Sequence, residues 1–333
     1  MTSLCVLGAG SWGTAMALLT ARNGHKTLLW GRNPEHVKSL QLTNRNDRYL
    51  PAIQLPDSLQ YTSDLISCVK GQEIILVAVP SHAFRTTLES IKPHLDPTTR
   101  IAWVTKGLDP NSGQLLHKTV YEILSENTPV AVVSGPTFAM EVAKNLPTAI
   151  TIASPSNEFS SLLSSIIHNQ RFRVYTSDDI VGVQLGGAIK NVLAIATGAA
   201  DGLGFGANSR AAIVTRGMAE LIRLGQALGG KQETLMGLAG LGDIVLTCTD
   251  NQSRNRRLGI GLGKGRPINE IIEEIGQEVE GISAARELHL LAIKHKIEMP
   301  IAEQVYKVLY ENVSPTTAVQ NLLVREQKKE QFE

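Results

Sequence analysis

Leu4-Cys5-Val6-Leu7-Gly8-Ala9-Gly10-Ser11-Trp12-Gly13-Thr14-Ala15 places an apolar run, a glycine-rich turn and the start of an apolar helix in immediate succession. The three glycines have the spacing GxGxxG, which is weak alone and informative when a strand precedes it and a helix follows. Each glycine then has a separate task. Gly8 makes the tight turn, Gly10 lets a pyrophosphate approach the backbone, and Gly13 lets helix and strand pack closely. Free amides at the helix N-terminus hold the anion. The opening stretch therefore predicts a dinucleotide-binding βα unit.

The rest of the first half repeats that theme. Apolar runs at 4–8, 27–30, 73–79, 100–105, 130–134 and 149–153 read as buried strands, with helical stretches such as 13–23 and 114–125 between them. Strands alternating with helices predict a parallel, doubly wound α/β sheet. After Ser177 the β-branched runs thin out and helical periodicity takes over, at 209–228, 268–275 and 283–294. The division predicted is a Rossmann-type NAD(P)-binding domain over 1–177 and a mainly α-helical domain over 178–333 for substrate binding and dimerisation. Glycine is dense between Gly182 and Gly265, which predicts close helix packing and backbone near a ligand, because glycine inside helices otherwise costs stability. The charged ending at 325–333 reads as a solvated tail.

The tip of the second strand selects the cofactor. An NAD-specific site has an acid there for the ribose 2′-hydroxyl, but this chain reads Leu29-Trp30-Gly31-Arg32-Asn33. Arg32 suits a 2′-phosphate, so NADP(H) is expected with NAD(H) tolerated, unless Arg32 is an ordinary surface residue. Two further charges stand alone in apolar surroundings. Lys190 is the one charged residue between Ile180 and Ala200, and Asp243 the one between Glu233 and Asp250. A helix apolar on all faces is buried, and burial drives a lysine pKa toward neutrality unless the side chain escapes to a helix rim. One buried cation and one buried anion suggest a pair in which Asp243 orients an acid/base Lys190.

Two more segments bear on ligands. Asn251-Gln252-Ser253-Arg254-Asn255-Arg256-Arg257 could start a short helix capped by Thr249 or Asp250, turning amides and guanidinium groups one way as a phosphate site. The competing reading is a solvated basic face. Lys106, in Val104-Thr105-Lys106-Gly107, lies just past an apolar strand, where open α/β sheets bind ligands.

Composition closes off several classes. With 32 Lys+Arg against 31 Asp+Glu, the 333-residue chain carries a net charge of +1. That provides no bulk attraction to nucleic acid or membrane. Cys5, Cys68 and Cys248 are scattered and the histidines show no ligand spacing, so no disulfide framework and no metal is expected. Residues 1–20 lack a basic leader and are broken by glycines, and 235–248 is the nearest approach to a membrane span, interrupted by Asp243 and three glycines. The expectation is a cytoplasmic protein without membrane insertion.

Taken together, these segments resemble the NAD(P)-dependent glycerol-3-phosphate dehydrogenases of the bacterial type. The resemblance is carried by GAGSWGTA at 8–15, VTKGL at 104–108, SGPTFAMEV at 134–142, GAIKNVLAIATG at 187–198, GLAGLGDIVLTCTDNQSRNRRLG at 237–259 and VEG at 279–281. The long block at 237–259 is far more specific than the glycine fingerprint. The resemblance implies that Gly8, Gly10, Ser11, Trp12, Gly13 and Arg32 contact the dinucleotide, with Ala139, Val279 and Glu280 near it. Lys106 would reach both cofactor and substrate, and Gly135 and Thr137 would line the substrate pocket. Lys190 would be the proton donor and acceptor and Asp243 its partner, both bordering the substrate. Ser253, Arg254 and Asn255 would hold the glycerol phosphate, with Arg254 also touching the cofactor. The implied reaction is sn-glycerol 3-phosphate + NAD(P)⁺ ⇌ dihydroxyacetone phosphate + NAD(P)H + H⁺, in a homodimer that supplies phospholipid synthesis. The implied partner is thus a small phosphorylated triose, not a nucleic acid.

Two other readings of the same residues are open at this point. A ketopantoate-reductase-like or β-hydroxyacid reductase of the same build acts on carboxylates and does not need the 253–257 cluster. A non-catalytic NADP(H) sensor does not need Lys190 and Asp243 as lone charges.

Overall fold

The computed structural model describes residues 2–326 and 329. The first half runs β1 (Ser3–Leu7), α1 (Ser11–Arg22), β2 (Lys26–Trp30), α2 (Pro34–Thr43), the small hairpin β3 (Arg45–Asn46) and β4 (Leu50–Gln54), β5 (Gln60–Thr62) and α3 (Leu65–Val69). It continues with β6 (Ile74–Val77), α4 (Ser81–Ile91), β7 (Arg100–Trp103), α5 (Leu116–Ile123), β8 (Val130–Ser134), α6 (Ala139–Ala143), β9 (Thr148–Ala153), α7 (Asn157–Ile167) and β10 (Phe172–Ser177). All but the hairpin strands join one eight-stranded sheet in the order β10-β9-β8-β7-β6-β1-β2-β5. The order reverses at β1, so the crevice at the C-terminal ends of β1 and β6 is the topological switch point where such sheets bind ligands.

The alternation of side chains explains why both faces are covered. Leu4 and Val6 of β1 enter one apolar core and Cys5 and Leu7 the other. Ile74 and Leu76 against Ile75 and Val77 repeat this on β6. Strands buried on both faces read as continuous apolar runs, which is why these strands were legible.

The expectation of a purely parallel sheet needs correction. β8 pairs with β9 antiparallel, while β9 and β10 are parallel to each other. Between β8 and β9 the chain makes only the five-residue α6, which packs beside α1. A return to the parallel direction needs a crossover that recrosses the sheet, and this short helix turns the chain back instead. β10, β5 and the hairpin were not foreseen. β10 is an edge strand whose side chains are mostly exposed or half-buried, and β5 has three residues, so neither carries an apolar run.

The second half is helical: α8 (Ile180–Gly202), α9 (Ala207–Ala227), α10 (Gln232–Leu235), a π turn at Leu238–Gly242, α11 (Asp243–Thr249), α12 (Arg254–Gly263), α13 (Ile268–Ile275), α14 (Gly281–His295), α15 (Pro300–Tyr310) and α16 (Pro315–Leu323). α8 is its spine. Among the described residues α8 alone is long and apolar enough to cross a membrane, and 89% of its most apolar window is buried within the fold. The longest apolar span is therefore α8 rather than 235–248, which breaks into α10, the π turn and α11. The expected solvated tail at 325–333 falls largely outside the described residues.

The glycines explain how closely the helices approach. Methyl groups at Gly198 and Gly202 of α8 would strike the backbone of α12, and methyl groups at Gly259 and Gly263 of α12 would strike the backbone of α8. Both pairs have GxxxG spacing, one helix face apart by a single turn. Close helix packing is thus where much of the glycine density is used.

Candidate active site

Lys190, Asp243 and Lys106 come together where the helical half meets the C-terminal ends of β7 and β8. Lys190 projects from α8, Asp243 begins α11, and Lys106 follows β7. The Lys190 Nζ–Asp243 Oδ1 separation is 2.5 Å and Lys106 Nζ donates to Asp243 Oδ2 at 2.6 Å. The Asp243 side chain is 0% exposed, with Lys190 and Lys106 at 9% and 11%. The predicted pair is present, but it is half of the arrangement. One carboxylate bridges two cations, leaving a net positive site on an almost neutral protein.

Local sequence explains the convergence. At Gly186, one helical turn before Lys190, a methyl group would collide with the Ala239 carbonyl. The missing side chain lets the π turn rest directly on α8, and Asp243 follows that turn on the side of Lys190. π turns recur at functional sites for this reason: they re-aim the next residues without ending the helical path. Thr247, four residues further on α11, donates from Oγ1 to Asp243 Oδ1 at 3.3 Å. Sequence reasoning missed Thr247, although the i,i+4 spacing from a lone helical acid was a usable signal.

Electrostatics match the geometry. Burial pushes the Lys190 ammonium down to about 8; Asp243 pulls it back up, and the neighbouring Lys106 charge pushes it down again. An acid/base group poised near neutral pH is what general catalysis requires. Glu280 is raised by burial and by neighbouring Glu278, and held back by Arg254, Lys106 and Lys190, so this carboxyl lies within reach of the site's positive charges. Val279 beside it is buried.

Around this centre the other expected residues fall into two groups. Gly135 follows β8 and its carbonyl accepts from Lys106 Nζ at 3.4 Å and from Thr137 Oγ1 at 3.3 Å. Ala139 opens α6 just beyond. On the helical side Ser253 is the N-cap of α12, its Oγ accepting from the Arg256 amide at 3.2 Å. The cap is therefore Ser253 and not Thr249 or Asp250. Thr249 donates back to the Val245 carbonyl within α11, and Asp250 Oδ1 instead accepts from Gln252 N.

The expectation that the guanidinium groups face one way is also corrected. Arg254 is half-buried with Nη1 3.5 Å from Gln277 Oε1, whereas Arg256 is buried with Nε donating to Asn251 and Nη2 paired with Asp201. Successive helical residues point about 100° apart, so Arg256 is turned away from Arg254, while Arg257, three residues on and on Arg254's side of α12, is exposed. Asn255 donates from Nδ2 to Asn191 Oδ1 at 2.8 Å and accepts from Gly281 N at 2.9 Å, which ties α12 to α8 and α14. Asn191, next to Lys190, has a buried Nδ2 with no partner and was not singled out from sequence.

The dinucleotide fingerprint has the geometry its three glycines imply. Gly8 has φ +124° and a methyl there would strike the Ala78 carbonyl. A methyl at Gly13 would strike the Gly8 carbonyl, and nothing lies within 4 Å of the Gly10 position. The N-cap of α1 is Gly10, with no side chain satisfying the first amides. Uncapped amides beside open space fit a pyrophosphate. Trp12 leaves a buried Nε1 unpartnered here. Arg32 is exposed at the end of β2, and Asn33 is used to cap α2, accepting from Glu35 N at 2.9 Å and His36 N at 3.2 Å. Among the described residues no cluster of three or more His, Cys, Asp or Glu could hold a metal ion.

Residues 3–160 match the family model described as the NAD-dependent glycerol-3-phosphate dehydrogenase N-terminus, and residues 179–320 match its C-terminus counterpart. A glycerol-3-phosphate dehydrogenase [NAD(P)+] of Methylococcus capsulatus is 57% identical over 328 residues, covering 98% of both chains. Its counterpart in Pseudoalteromonas translucida is 55% identical over 330 residues, covering 99% of this chain and 98% of that one. Among solved structures, glycerol-3-phosphate dehydrogenase from Coxiella burnetii superposes with a TM-score of 0.95 at 51% identity, covering 97% of this chain and 99% of that one.

Proposed function

Because the chain belongs to the NAD-dependent glycerol-3-phosphate dehydrogenase family, we propose that Lys190, Asp243 and Lys106 are the groups that carry its chemistry. The chain is an oxidoreductase that reversibly reduces dihydroxyacetone phosphate to sn-glycerol 3-phosphate with NAD(H) or NADP(H). The observation that carries the assignment of residues is the Lys190–Asp243–Lys106 bridge at 2.5 and 2.6 Å.

The cofactor would lie along the fingerprint, with Gly8, Gly10, Ser11, Trp12 and Gly13 around its pyrophosphate and Ala139, Val279, Glu280 and Arg254 nearby. A bound nicotinamide supplies the hydride in reduction and accepts it in oxidation. In reduction the Lys190 ammonium stabilises charge growing on the carbonyl oxygen and then gives it the proton from Nζ. General acid catalysis of this kind is worth roughly 10²–10⁴-fold. In oxidation the neutral Lys190 amine takes the hydroxyl proton. Asp243 holds both Nζ atoms in place, and Lys106 adds a second positive charge beside the oxygen. Gly135 and Thr137 border the three-carbon substrate. Ser253, Arg254 and Asn255 lie on its phosphate side, with Asn255 acting mainly by tying α12 to α8 and α14. Binding energy from the remote phosphate offsets the cost of orienting the reacting carbon.

Arg254→Ala tests the phosphate assignment. Loss of one charge-assisted contact removes about 1.5–3 kcal/mol. kcat/KM for dihydroxyacetone phosphate should fall accordingly, and far less for unphosphorylated dihydroxyacetone, with NADPH affinity measured separately. Equal losses on both substrates would move the phosphate site elsewhere.

Arg32, basic and exposed at the tip of β2, favours the 2′-phosphate of NADP(H). Arg32→Asp should raise the KM for NADPH and leave NADH unchanged or improved. A parallel response of both cofactors would refute the selectivity.

The division of labour follows the change of architecture after β10: 1–177 for the cofactor and 178–333 for substrate and dimerisation. We place the enzyme in the cytoplasm as a homodimer, not inserted in a membrane, with phospholipid synthesis as the consumer of its product. Burial of α8 inside the fold supports that placement.

A further inference from the structure

We propose that Glu287, a buried acid of α14, is a positioning residue that sets where Lys106 lies. The inference rests on the reading of Lys106 given above. Lys106 stands on the turn 106–108 that leaves β7. Gly107 in that turn has φ +135° and packs against Ser81 at the start of α4, so the backbone is held in a conformation that few side chains tolerate. The next amide, Leu108 N, donates to Glu287 Oε2 at 3.2 Å. Among the described residues, no other side chain of the helical half is hydrogen-bonded to the backbone of 106–108.

Several features set this contact apart from ordinary packing. Glu287 is 2% exposed, and its second oxygen, Oε1, is buried with no partner. Burial raises the carboxyl to about 7; the Leu108 amide and Arg286 oppose this, while Asp109 and Glu280 add to it. A buried carboxyl with one bond is costly, and an apolar residue of the same shape would serve packing better. Beyond the turn the chain is tied to its own half, where Asp109 binds Arg85, Ser112 and Thr119. Leu108 itself is buried in the apolar core of the helical half beside Ala284, Ala285 and Leu288 of α14, which seats the turn, while a cavity of about 150 Å³ lies just beyond it between residues 110–113 and α14. Apolar packing is non-directional, so with Lys106 Nζ held at its tip by Asp243, the Glu287 bond is the directional contact from the helical half that fixes the backbone of the turn. Glu287 also lies seven residues, about two helical turns, beyond Glu280, the N-cap of α14, so one helix and its cap address both the expected cofactor side and the Lys106 turn.

The experiment compares Glu287→Gln, which retains an acceptor for Leu108 N, with Glu287→Met, which removes it. Tm and steady-state kinetics with dihydroxyacetone phosphate and NADPH are measured on both full-length variants, with Lys106→Ala as reference. A displacement of Lys106 Nζ on the order of 1 Å should cost about tenfold to a hundredfold in kcat/KM. Glu287→Met should show that loss, mainly in kcat, with Tm close to wild type, and Glu287→Gln should recover most of the activity. A folded Glu287→Met with wild-type kcat/KM overturns the inference, and so does an equal loss in both variants. A fall in Tm with unchanged kcat would assign Glu287 to structure alone. If Lys106→Ala is itself near wild type, the reading of Lys106 fails instead, which separates the two failures.

Discussion

Lys190→Ala should lower kcat by several orders of magnitude while the fold and NADPH affinity stay near wild type. The side chain is almost fully buried, lies 2.5 Å from Asp243, and is pushed down to about 8 by burial. It can therefore hold a proton just below neutral-to-alkaline pH and release it just above. The sign follows directly. Reduction needs the ammonium, so its rate should be full below about 8 and fall as pH rises through that value; oxidation needs the amine and should rise over the same interval. Lys190→Arg should not rescue either direction, since a guanidinium stays protonated and its planar fork reaches differently. Near-wild-type kcat in Lys190→Ala at saturating NADPH would make Lys106, 2.6 Å from the same carboxylate, the next candidate. The mechanism above would then be wrong.

What the sequence disclosed was whatever leaves a local trace. Strands covered on both faces, such as Ile74–Val77 and Val130–Ser134, are unbroken apolar runs and were legible; the edge strand Phe172–Ser177 is not such a run and was missed. The glycines at 8, 10 and 13 announced their tasks by spacing because all three act within one turn of backbone. Lys190 and Asp243 were visible as solitary charges in apolar helices. Lys106 was visible by its place just past an apolar strand, but its bridge to Asp243 was not, because it joins residues 137 positions apart. The direction of the arginines at 254, 256 and 257 was lost for a related reason. Helical rotation turns Arg256 away from Arg254, where it is claimed by Asp201, a residue on another helix. The reversal of β9 depended on the length of α6 and its packing on α1, which composition does not encode.

Asp243→Asn is expected to be severe, contrary to what a simple orienting partner would imply. If Asp243 served Lys190 alone, the amide could retain one bond and the loss would be modest. Here both carboxylate oxygens are used, Oδ1 with Lys190 and Thr247 and Oδ2 with Lys106. An asparagine offers one oxygen and presents its NH₂ to the other ammonium, donor against donor. Two largely buried cations then face each other without their anion. Removing one partner of a buried ion pair typically costs 3–5 kcal/mol because the remaining charge is left uncompensated. The protein escapes part of that cost by shedding a proton, so Lys190 should titrate lower than in the wild type. The alkaline limb of dihydroxyacetone phosphate reduction should accordingly shift to lower pH, with a reduced kcat and a Tm lowered by several degrees. Thermal unfolding at pH 7 and pH 9 separates the contributions. Fewer charged lysines remain at the higher pH, so the Tm deficit of Asp243→Asn relative to wild type should shrink there. A deficit that is absent at pH 7, with an unshifted pH–rate profile, would mean that Asp243 does not hold the two lysines together in solution.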